Sequence, residues 1–332
     1  MSTNASSKLV VLGTGGTIAG QSSSQFDNVG YTAAQLGVAQ LMAAVPALDQ
    51  VLVNHELVTE QVAQLDSKDM SWSVWQALCL RVNHHLKCDD VAAVVITHGT
   101  DTVEETAYFL HCILAPSLLR AKPVVLTCAM RPASSVAPDG PQNLLDAATV
   151  ALTGGAHGVS VVCAGTVHDA VHVQKVHTYK LDAFDSGDTG PLAYVEEGTL
   201  RQLRDWPEVA VDQCGVDTEG LANTGTWPRV EIVMNYAGAG ATMVDALLAQ
   251  DAAGLPEVPP LRGLVVAGTG NGTIHQAMQD ALVRALARGI AVVRASRCAR
   301  GRVLPKGDDL FPDSQGLSAV KARIALMLRL MA

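Results

Sequence analysis

Two segments of the chain place hydroxyl side chains and glycines directly after a run of aliphatic residues. The first reads Gly-Thr-Gly-Gly-Thr-Ile-Ala-Gly over residues 13–20, and the second reads Thr-His-Gly-Thr-Asp-Thr over residues 97–102. Backbone N–H groups at such strand ends can bind a small anion or an oxyanion, and a threonine hydroxyl becomes a nucleophile once its proton is removed. The two segments therefore predict a polar site where their strands end.

Glycine-rich strand ends also occur in nucleotide-binding proteins, but that interpretation fits this chain poorly. The run Gly-Thr-Gly at residues 13–15 begins like a dinucleotide fingerprint, yet Ile18 stands at the position of its third small residue. No Gly-Lys-Ser/Thr tripeptide follows, as a phosphate-binding loop would require. A second glycine-rich stretch, at residues 268–272, has Thr273 at the third-glycine position. Several of these glycines could simply permit tight turns.

The elements that must position these segments alternate between short apolar runs and amphipathic stretches. The apolar runs predict strands at Lys8–Leu12, Val51–His55, Val91–Thr97, Pro123–Thr127, Val159–Ala164, Val230–Asn235, Gly263–Ala267 and Ala291–Arg294. The amphipathic stretches predict helices at Ala33–Ala44, Met70–Leu86, Thr102–Leu114, Gln142–Leu152, Thr242–Gln250, Ile274–Arg288 and Ser318–Met331. Such alternation implies crossover connections and a mostly parallel sheet, and ligands bind these sheets at the carboxyl ends of the strands.

The domain organisation follows from a break in this alternation. Residues 196–229 are polar and irregular, with Pro207 and Pro228. We therefore predict an α/β protein whose larger N-terminal domain, residues 1–205, holds a mostly parallel sheet flanked by helices. A linker at residues 206–228 then leads to a smaller C-terminal α/β domain at residues 229–332.

Composition excludes several classes of protein. Hydrophobic residues make up 48% of the 332 residues and aromatic residues only 4%, which predicts a large aliphatic core and excludes overall disorder. The net charge of −9, without a cluster of lysine and arginine, argues against nucleic-acid binding. No apolar run reaches the roughly 18 residues that a membrane span needs.

With these motifs in order, the chain resembles the bacterial-type L-asparaginases, also called glutaminase-asparaginases, over nearly its whole length. The resemblance is carried by Thr14–Gly20, His98–Thr102 with Glu104–Ala107, Ala129–Pro132, Asp139–Pro141 with Asn143 and Leu144, Asn271–Gly272, and Lys321–Arg323. It implies hydrolysis of a side-chain amide to the acid and ammonia through a threonine acyl-enzyme, with no metal or cofactor. Whether the substrate is L-asparagine, L-glutamine or a related monoamide stays open.

The resemblance also implies the catalytic residues. Thr17 would be the nucleophile, and Tyr31, on a loop that closes over the substrate, would form a hydrogen bond with it. Thr100, Asp101 and Lys175 would form a second cluster that handles protons. Burial lowers the pKa of a lysine and a neighbouring carboxylate raises it, so the sequence leaves the protonation of Lys175 open.

Further residues are implied as substrate contacts. Ser67 and Asp69 would bind the groups on the substrate's α-carbon, and Asp101 would also contact its amino group. Backbone N–H groups of Thr17 and Thr100 would form the oxyanion site. The other implied binding positions are Gly16, Lys68, Gly99, Ala129 and Asn271. Family members are tetramers built as dimers of dimers, so Asn271 would complete the site of a partner subunit.

Each of these residue types also has an ordinary structural interpretation. Taken alone, Lys175 would be a surface lysine on a strand, and Tyr31 would be a half-buried loop anchor. Ser67 and Asp69 alone would be a helix N-cap before Trp72. The ten histidines match no implied role, and we interpret them as structural or surface residues.

Lys68 departs from the resemblance, because a glutamine that helps to hold the substrate's α-ammonium usually stands there. Two positive charges about 4 Å apart repel by about 4 kcal/mol at an effective dielectric constant of about 20. The segment 302–309, where the family supplies a glutamate from the neighbouring subunit, offers Asp308 and Asp309 instead. Either Lys68 turns to solvent or pairs with a carboxylate such as Asp308, or the substrate lacks the amine or carries an extra anionic group.

The number and spacing of the cysteines indicate whether the protein belongs to a reducing or an oxidising compartment. The seven cysteines contain no Cys-x-x-Cys pair. Cys88 falls at the first cysteine of the disulfide that secreted family members carry, but the second position is Pro116, and Cys112 lies one helical turn away. With no apolar signal in residues 1–8, we expect a cytoplasmic protein with reduced thiols.

A different functional class has to be weighed against the enzyme. The chain could be a non-catalytic amide-binding or sensing protein, or a subunit of an amidotransferase. A protein that only binds an amide need not keep Thr17, Thr100, Asp101 and Lys175 together. We see no extra domain of the kind that an amidotransferase subunit would need, so we expect an enzyme.

Overall fold

The computed structural model describes residues 7–208 and 216–331. The chain divides into two compact units, residues 1–211 and residues 212–332. Residues 1–6, Cys214 and the stretch 209–215 of the predicted linker lie outside the described residues. The domain limits given above therefore stay predictions, and each unit is described by itself.

The described residues form the following elements. The strands are β1 (Ser7–Gly15), β2 (His55–Leu65), β3 (Val91–Thr97), β4 (Val124–Thr127), β5 (Val159–Cys163), β6 (Thr166–Asp169), β7 (Gln174–Lys175), β8 (Phe184–Asp185), β9 (Ala193–Glu196), β10 (Thr199–Gln202), β11 (Arg229–Met234), β12 (Leu261–Gly268) and β13 (Ala291–Ser296). The helices are α1 (Val38–Ala43), α2 (Leu48–Val51), α3 (Trp72–Lys87), α4 (Val103–Ile113), α5 (Pro116–Ala121), α6 (Gly140–Leu152), α7 (Thr218–Asn223), α8 (Thr242–Ala253), α9 (Gln276–Ala287) and α10 (Ala319–Arg329). Short 3-10 helices form at Thr17–Ala19, Ser67–Asp69 and Gly187–Thr189.

The first unit is built on an eight-stranded sheet with the strand order β10-β9-β6-β5-β4-β3-β1-β2. Strands β5, β4, β3, β1 and β2 run parallel, whereas β6, β9 and β10 are antiparallel additions at one side. The predicted α/β class with a mostly parallel sheet is confirmed. The antiparallel strands were missed, because each has four residues and no crossover α-helix lies between them in the sequence.

The centre of this sheet brings the two hydroxyl-rich segments together. β1 lies between β2 and β3, and Gly13 is in register with Thr97. Because β1 and β3 are parallel, both segments leave the sheet at the same edge. The strands are held by an aliphatic core, in which Trp75 stacks on Phe109 with ring centroids 4.7 Å apart.

The strand predicted at Val51–His55 is wrong in its bounds. Val51 ends α2, and β2 begins at His55 and continues to Leu65. No residue of β2 is fully buried, and the strand carries glutamate, threonine and glutamine side chains. An edge strand of this kind lacks the continuous apolar run that marks a buried parallel strand, so the sequence signal pointed to the wrong segment.

The helix predicted at Ala33–Ala44 begins only at Val38. The N–H of Ala34 donates to the carbonyl of Gly16, and the N–H groups of Gln35 and Leu36 donate to the carbonyl of Ala19. These bonds tie the chain to the first hydroxyl-rich segment instead of to a helical turn. The remaining predicted strands and helices begin and end within three residues of the observed ones.

The second unit contains a three-stranded parallel sheet, ordered β11-β12-β13, with α8, α9 and α10 packed against its strands. The smaller C-terminal α/β fold is therefore confirmed. The irregular stretch predicted at residues 196–229 is wrong in two places, because β10 and α7 form within it. Each is short, and neither has the long periodic pattern on which the sequence prediction depended.

Two further observations bear on the sequence predictions. Within residues 7–208 and 216–331, no helix is long and apolar enough to cross a membrane. The six cysteines in these ranges are free thiols, including Cys88 and Cys112.

Candidate active site

The first hydroxyl-rich segment leaves β1 through two positions whose backbone conformation only glycine adopts easily. Gly15 has φ +102° and Gly16 has φ +82°, a backbone region that side chains strongly disfavour. A Cβ on Gly16 would lie 2.3 Å from the Cα of Gly99, so the two hydroxyl-rich segments meet backbone to backbone. A Cβ on Gly99 would in turn lie 2.4 Å from the hydroxyl of Ser67. Gly16 and Gly99, which the sequence predicts as binding positions, are therefore also positions where two backbone segments pack too closely for a larger residue.

Replacing Gly16 with alanine should lower the free energy of unfolding by about 2–5 kcal/mol. The added methyl group meets backbone atoms that cannot move away, and the positive φ adds backbone strain. Urea unfolding of the purified variant measures the loss. The matched control is Gly155→Ala, since Gly155 has φ +85° but no atom within 4 Å of an added Cβ. It should cost about 1–2 kcal/mol, and an equal loss in both variants would refute the close approach.

Thr17 begins a 3-10 helix directly after Gly16, and its side chain is directed to Tyr31. Its Oγ1 lies 2.5 Å from the Tyr31 hydroxyl, and Thr17 is only 7% exposed. Tyr31 is held by the backbone pairing of Gln21 with Thr32 and by close contact of its ring with Gly20. Burial raises the pKa of Tyr31, and the hydrogen bond with Thr17 opposes this shift only in part. Tyr31 is therefore a protonated phenol at neutral pH.

The second hydroxyl-rich segment carries a compact ion pair. The Nζ of Lys175, on β7, donates to the Oγ1 of Thr100 over 2.9 Å and to Oδ1 of Asp101 over 2.6 Å. Thr100 is 5% exposed, whereas Lys175 and Asp101 are partly open to solvent. The structure thus brings together the three residues predicted as a cluster, and Lys175 is not the surface lysine that its residue type alone suggests.

Ser67 lies beneath this cluster as a buried hydrogen-bonding residue. Its hydroxyl accepts from the N–H of Asp101 over 3.2 Å, and its carbonyl accepts from the hydroxyl of Thr102 over 2.8 Å. The helix N-cap interpretation of Ser67 and Asp69 is wrong, because Ser71 caps α3 by accepting from the N–H of Val74. Ser67 instead ties the 3-10 helix at residues 67–69 to the end of β3.

Lys68 pairs with the two carboxylates nearest to it in the chain. Its Nζ lies 2.8 Å from Asp69 and 3.1 Å from Asp66, with 61% of its side chain exposed. These carboxylates raise the pKa of Lys68, so it is a cation at neutral pH. Burial is the main cause of the raised pKa of Tyr31, and the positive charge of Lys68 opposes that shift only slightly.

A buried hydrogen-bond chain behind the site was missed by sequence reasoning. The indole N–H of Trp75 donates to Thr106 Oγ1, which lies 2.9 Å from His98 Nε2. The carbonyl of Gly99 can only accept, so Nδ1 of the ring donates to it over 2.8 Å, and in the neutral ring Nε2 then accepts from the hydroxyl of Thr106. Burial lowers the pKa of His98 to about 4, so the ring is neutral. The sequence signal for this role was the position of His98 between Thr97 and Gly99 in the second hydroxyl-rich segment.

Ala129 follows β4 at the same edge of the sheet and is fully buried. The loop after it is fixed by Asp139, whose carboxylate accepts from the N–H groups of Met130 and Arg131 over 2.9 Å each. Asn143 of α6 completes the arrangement by donating to the carbonyl of Cys128. Asp139 and Asn143 belong to the motifs of the sequence, but this supporting role was not predicted for them.

Asn271 lies in the second unit, and its amide holds a neighbouring loop. Its Oδ1 accepts from the N–H of Leu304 over 2.7 Å, and its Nδ2 donates to the carbonyl of Leu304 over 3.0 Å. In the same loop the carboxylate of Asp309 pairs with Arg294 and accepts from the N–H of Lys306. Asp309 is therefore already engaged within its own unit.

The described residues contain no group of three or more histidine, cysteine, aspartate or glutamate side chains that could hold a metal ion. The chemistry available at the site consists of hydroxyl groups, one phenol, the amines of Lys175 and Lys68, and carboxylates. Thr17 Oγ1 lies within hydrogen-bond distance of the Tyr31 hydroxyl, and Thr100 Oγ1 accepts from the amine of Lys175. Such pairs are suited to nucleophilic attack on a carbonyl carbon.

Comparison with known proteins covers almost the entire chain. The model of the asparaginase N-terminal domain matches residues 8–207, and that of the glutaminase/asparaginase C-terminal domain matches residues 229–332. L-asparaginase 2 of Escherichia coli is 37% identical over 329 residues, covering 97% of this chain and 88% of that protein. The glutaminase-asparaginase of Pseudomonas fluorescens is 34% identical over 333 residues, covering 97% and 86%. The crystal structure of a probable cytoplasmic L-asparaginase from Campylobacter jejuni superimposes with a TM-score of 0.86 at 34% identity, covering 98% of this chain and 95% of that chain.

Proposed function

The chain belongs to the asparaginase family, and from that premise we propose that it hydrolyses the side-chain amide of L-asparagine, or of L-glutamine, through a threonine acyl-enzyme. The observation that carries the mechanism is the contact of 2.5 Å between Thr17 Oγ1 and the Tyr31 hydroxyl. A threonine hydroxyl is a weak nucleophile, and a hydrogen-bonded partner that can take its proton makes attack feasible.

In the first step the Oγ1 of Thr17 attacks the amide carbon of the substrate. Tyr31 is protonated at neutral pH, because burial raises its pKa. It can therefore take the proton of Thr17 only while it releases its own, so it acts as a relay toward the leaving nitrogen. The C–N bond breaks, ammonia leaves, and an ester links the acyl group to Thr17. Water then hydrolyses this ester, which restores the threonine hydroxyl and releases the acid.

The second cluster handles protons beside this reaction. Lys175 donates to Thr100 and Asp101, so the orientation of the Thr100 hydroxyl depends on the charge of the amine. The oxyanion would be bound by the N–H groups of Thr17 and Thr100. The His98 bond to the carbonyl of Gly99 supports this assignment, because it fixes the peptide whose other end is the Thr100 N–H.

Ser67 and Asp69 would bind the groups on the substrate's α-carbon, together with Asp101. The pairing of Lys68 with Asp69 favours a second candidate substrate, a related monoamide that lacks the α-ammonium or carries an extra anionic group. Lys68 partly neutralises the carboxylate that would hold an ammonium, and it adds a positive charge next to the same place. The amide chemistry is identical for both candidates.

Replacing Lys68 with glutamine should lower the KM for L-asparagine about two- to fivefold, because it frees Asp69 and removes a like charge from the α-ammonium. The KM for succinamate, which has no ammonium, should rise or stay unchanged. Steady-state kinetics with both substrates give the ratio. Lys87→Gln makes the same charge change at an exposed lysine at the end of α3 and should leave both values unchanged. An unaltered ratio in Lys68→Gln would eliminate Lys68 as a specificity residue.

We further propose a cytoplasmic homotetramer, a dimer of dimers in which Asn271 of one subunit completes the site of another. The similarity to the Campylobacter jejuni protein, which is described as a probable cytoplasmic L-asparaginase, supports the compartment. A relative in Haemophilus influenzae is named as periplasmic, so cell fractionation should decide between the two. Light scattering coupled to size-exclusion chromatography measures the subunit number.

The test of the proposed function is ammonia release from a panel of amides. The panel contains L-asparagine, L-glutamine, their D-forms, succinamate and related monoamides, with Thr17→Ala as the blank. At least one amide should release ammonia well above the blank. If none does, the protein is not an amidohydrolase of this type, and the alternative of a non-catalytic amide-binding protein is preferred.

A further inference from the structure

Lys175 stands on a segment that has little support of its own. Its strand, β7, has two residues and pairs only with the equally short β8, apart from the eight-stranded sheet. A two-stranded ribbon of this length is marginally stable by itself. A lysine side chain also has four rotatable bonds, so the position of its amine depends on how firmly the backbone is held.

The side chain of Glu104 fixes this backbone segment from the edge of β7 that faces away from β8. Its Oε2 accepts from the backbone N–H of Lys175 over 2.8 Å, across 71 positions of sequence. On the other side of the same ribbon, the N–H of Val176 donates to the carbonyl of Ala183. The ribbon is therefore bound to β8 along one edge and to the carboxylate of Glu104 along the other. Hydrogen bonds to an ionised acceptor are stronger than those between neutral groups.

The same short stretch of chain also holds the other end of the lysine. Thr100 and Asp101 accept from Nζ, and Glu104 lies three residues further on, in the first turn of α4. The backbone and the amine of Lys175 are thus both held by the residues around the start of α4. A displacement of either end would move the amine away from Thr100, and a misplacement of about 1 Å can cost about 100-fold in rate.

We propose that Glu104 is a positioning residue for the amide hydrolysis: it fixes the backbone of Lys175 so that the amine reaches Thr100 and Asp101. This inference rests on the proposed function. Glu104 does not touch the reacting atoms and acts only through Lys175. The competing explanation is that Glu104 merely stabilises α4, because an acidic residue in the first turn interacts favourably with the helix dipole.

The first experiment compares Glu104→Ala with Glu104→Gln. In Glu104→Ala, kcat should fall about tenfold while KM changes less than about twofold, because ground-state contacts with the substrate stay in place. Glu104→Gln keeps an oxygen acceptor and should recover at least about half of the wild-type kcat. Glu105→Ala removes the same charge from the same helical turn and is the matched control. Equal losses in Glu104→Ala and Glu105→Ala would assign the effect to the helix and overturn the inference.

The second experiment is a double-mutant cycle with Lys175→Met. If Glu104 acts through Lys175, adding Glu104→Ala to Lys175→Met should cost less than about twofold more in kcat, whereas independent roles would multiply. Hydrogen exchange gives a readout without turnover, since the amide of Lys175 should exchange faster in Glu104→Ala than in Glu104→Gln. A multiplicative cycle or unchanged exchange overturns the inference. Inactivity of the wild-type protein toward every amide contradicts the proposed function instead, so the two failures are distinguishable.

Discussion

Replacing Thr17 with alanine is expected to reduce ammonia release by at least about 10⁴-fold, to the rate of the reaction without enzyme. The substitution removes the hydroxyl that lies 2.5 Å from Tyr31 and leaves its phenol without a proton donor to act on. Binding of the substrate should be little changed, because the contacts proposed for its α-carbon come from Ser67 and Asp69. The measurement is single-turnover and steady-state ammonia release at saturating amide.

The control for this variant is Thr17→Ser, which keeps the oxygen and loses only a methyl group. It should retain a measurable fraction of turnover and, like the wild type, form an acyl-enzyme that added hydroxylamine intercepts as a hydroxamate. Urea unfolding of Thr17→Ala should show a loss of only about 1–2 kcal/mol, the usual cost of one buried hydrogen bond, so the variant stays folded. Turnover by Thr17→Ala above about one percent of wild type would identify another nucleophile.

The location of the candidate site, where the two hydroxyl-rich segments meet, could be predicted from the sequence because the required information is local. Thr17 and Thr100 each lie in a contiguous segment that follows an aliphatic run, and parallel strands end at one edge of a sheet. The register of Gly13 with Thr97 agrees with this expectation. The α/β class and the mostly parallel sheet follow from the same alternation of strands and helices. Amphipathic patterns also located most helix ends to within three residues.

The features that were missed depend on contacts between distant or irregular segments. β2 is an edge strand with a mixed pattern, and the residues before α1 bond to Gly16 and Ala19, so neither boundary has a periodic signal. The bond between Glu104 and Lys175 joins a helix to a two-residue strand. The chain of hydrogen bonds to His98 depends on which neighbours fill the core behind the motif. Sequence periodicity carries none of this information.

The partner of Lys68 illustrates the same limit at short range. The sequence predicts that Lys68 turns to solvent or pairs with a carboxylate such as Asp308, and the amine does pair with carboxylates, those of Asp66 and Asp69 in its own turn. Both carboxylates were visible in the sequence, but the 3-10 turn that directs them to one amine was not.

Replacing Lys175 with methionine is expected to lower kcat about 10²- to 10³-fold, the usual contribution of a proton-handling group. Methionine has nearly the same length, so the ribbon can still pack, but Thr100 loses a hydrogen-bond donor at 2.9 Å and Asp101 loses its counter-ion at 2.6 Å. The unpaired carboxylate then competes for the Thr100 hydroxyl and draws it away from the reacting carbonyl. Steady-state kinetics should show a smaller change in KM than in kcat.

Lys180→Met is the matched control, because Lys180 is an exposed lysine in the loop between β7 and β8 and its loss changes the net charge equally. It should leave kcat within about twofold of the wild type, since exposed charges at a distance are screened by salt. A loss of similar size in both variants would mean that total charge, not the amine at Thr100, governs the rate. Removing the carboxylate as well, in Asp101→Asn with Lys175→Met, should restore part of kcat if the unpaired carboxylate is what disturbs Thr100. No recovery with succinamate, which has no ammonium for Asp101 to bind, would mean instead that the amine itself transfers the proton, and this outcome separates an orienting lysine from a proton-transferring one.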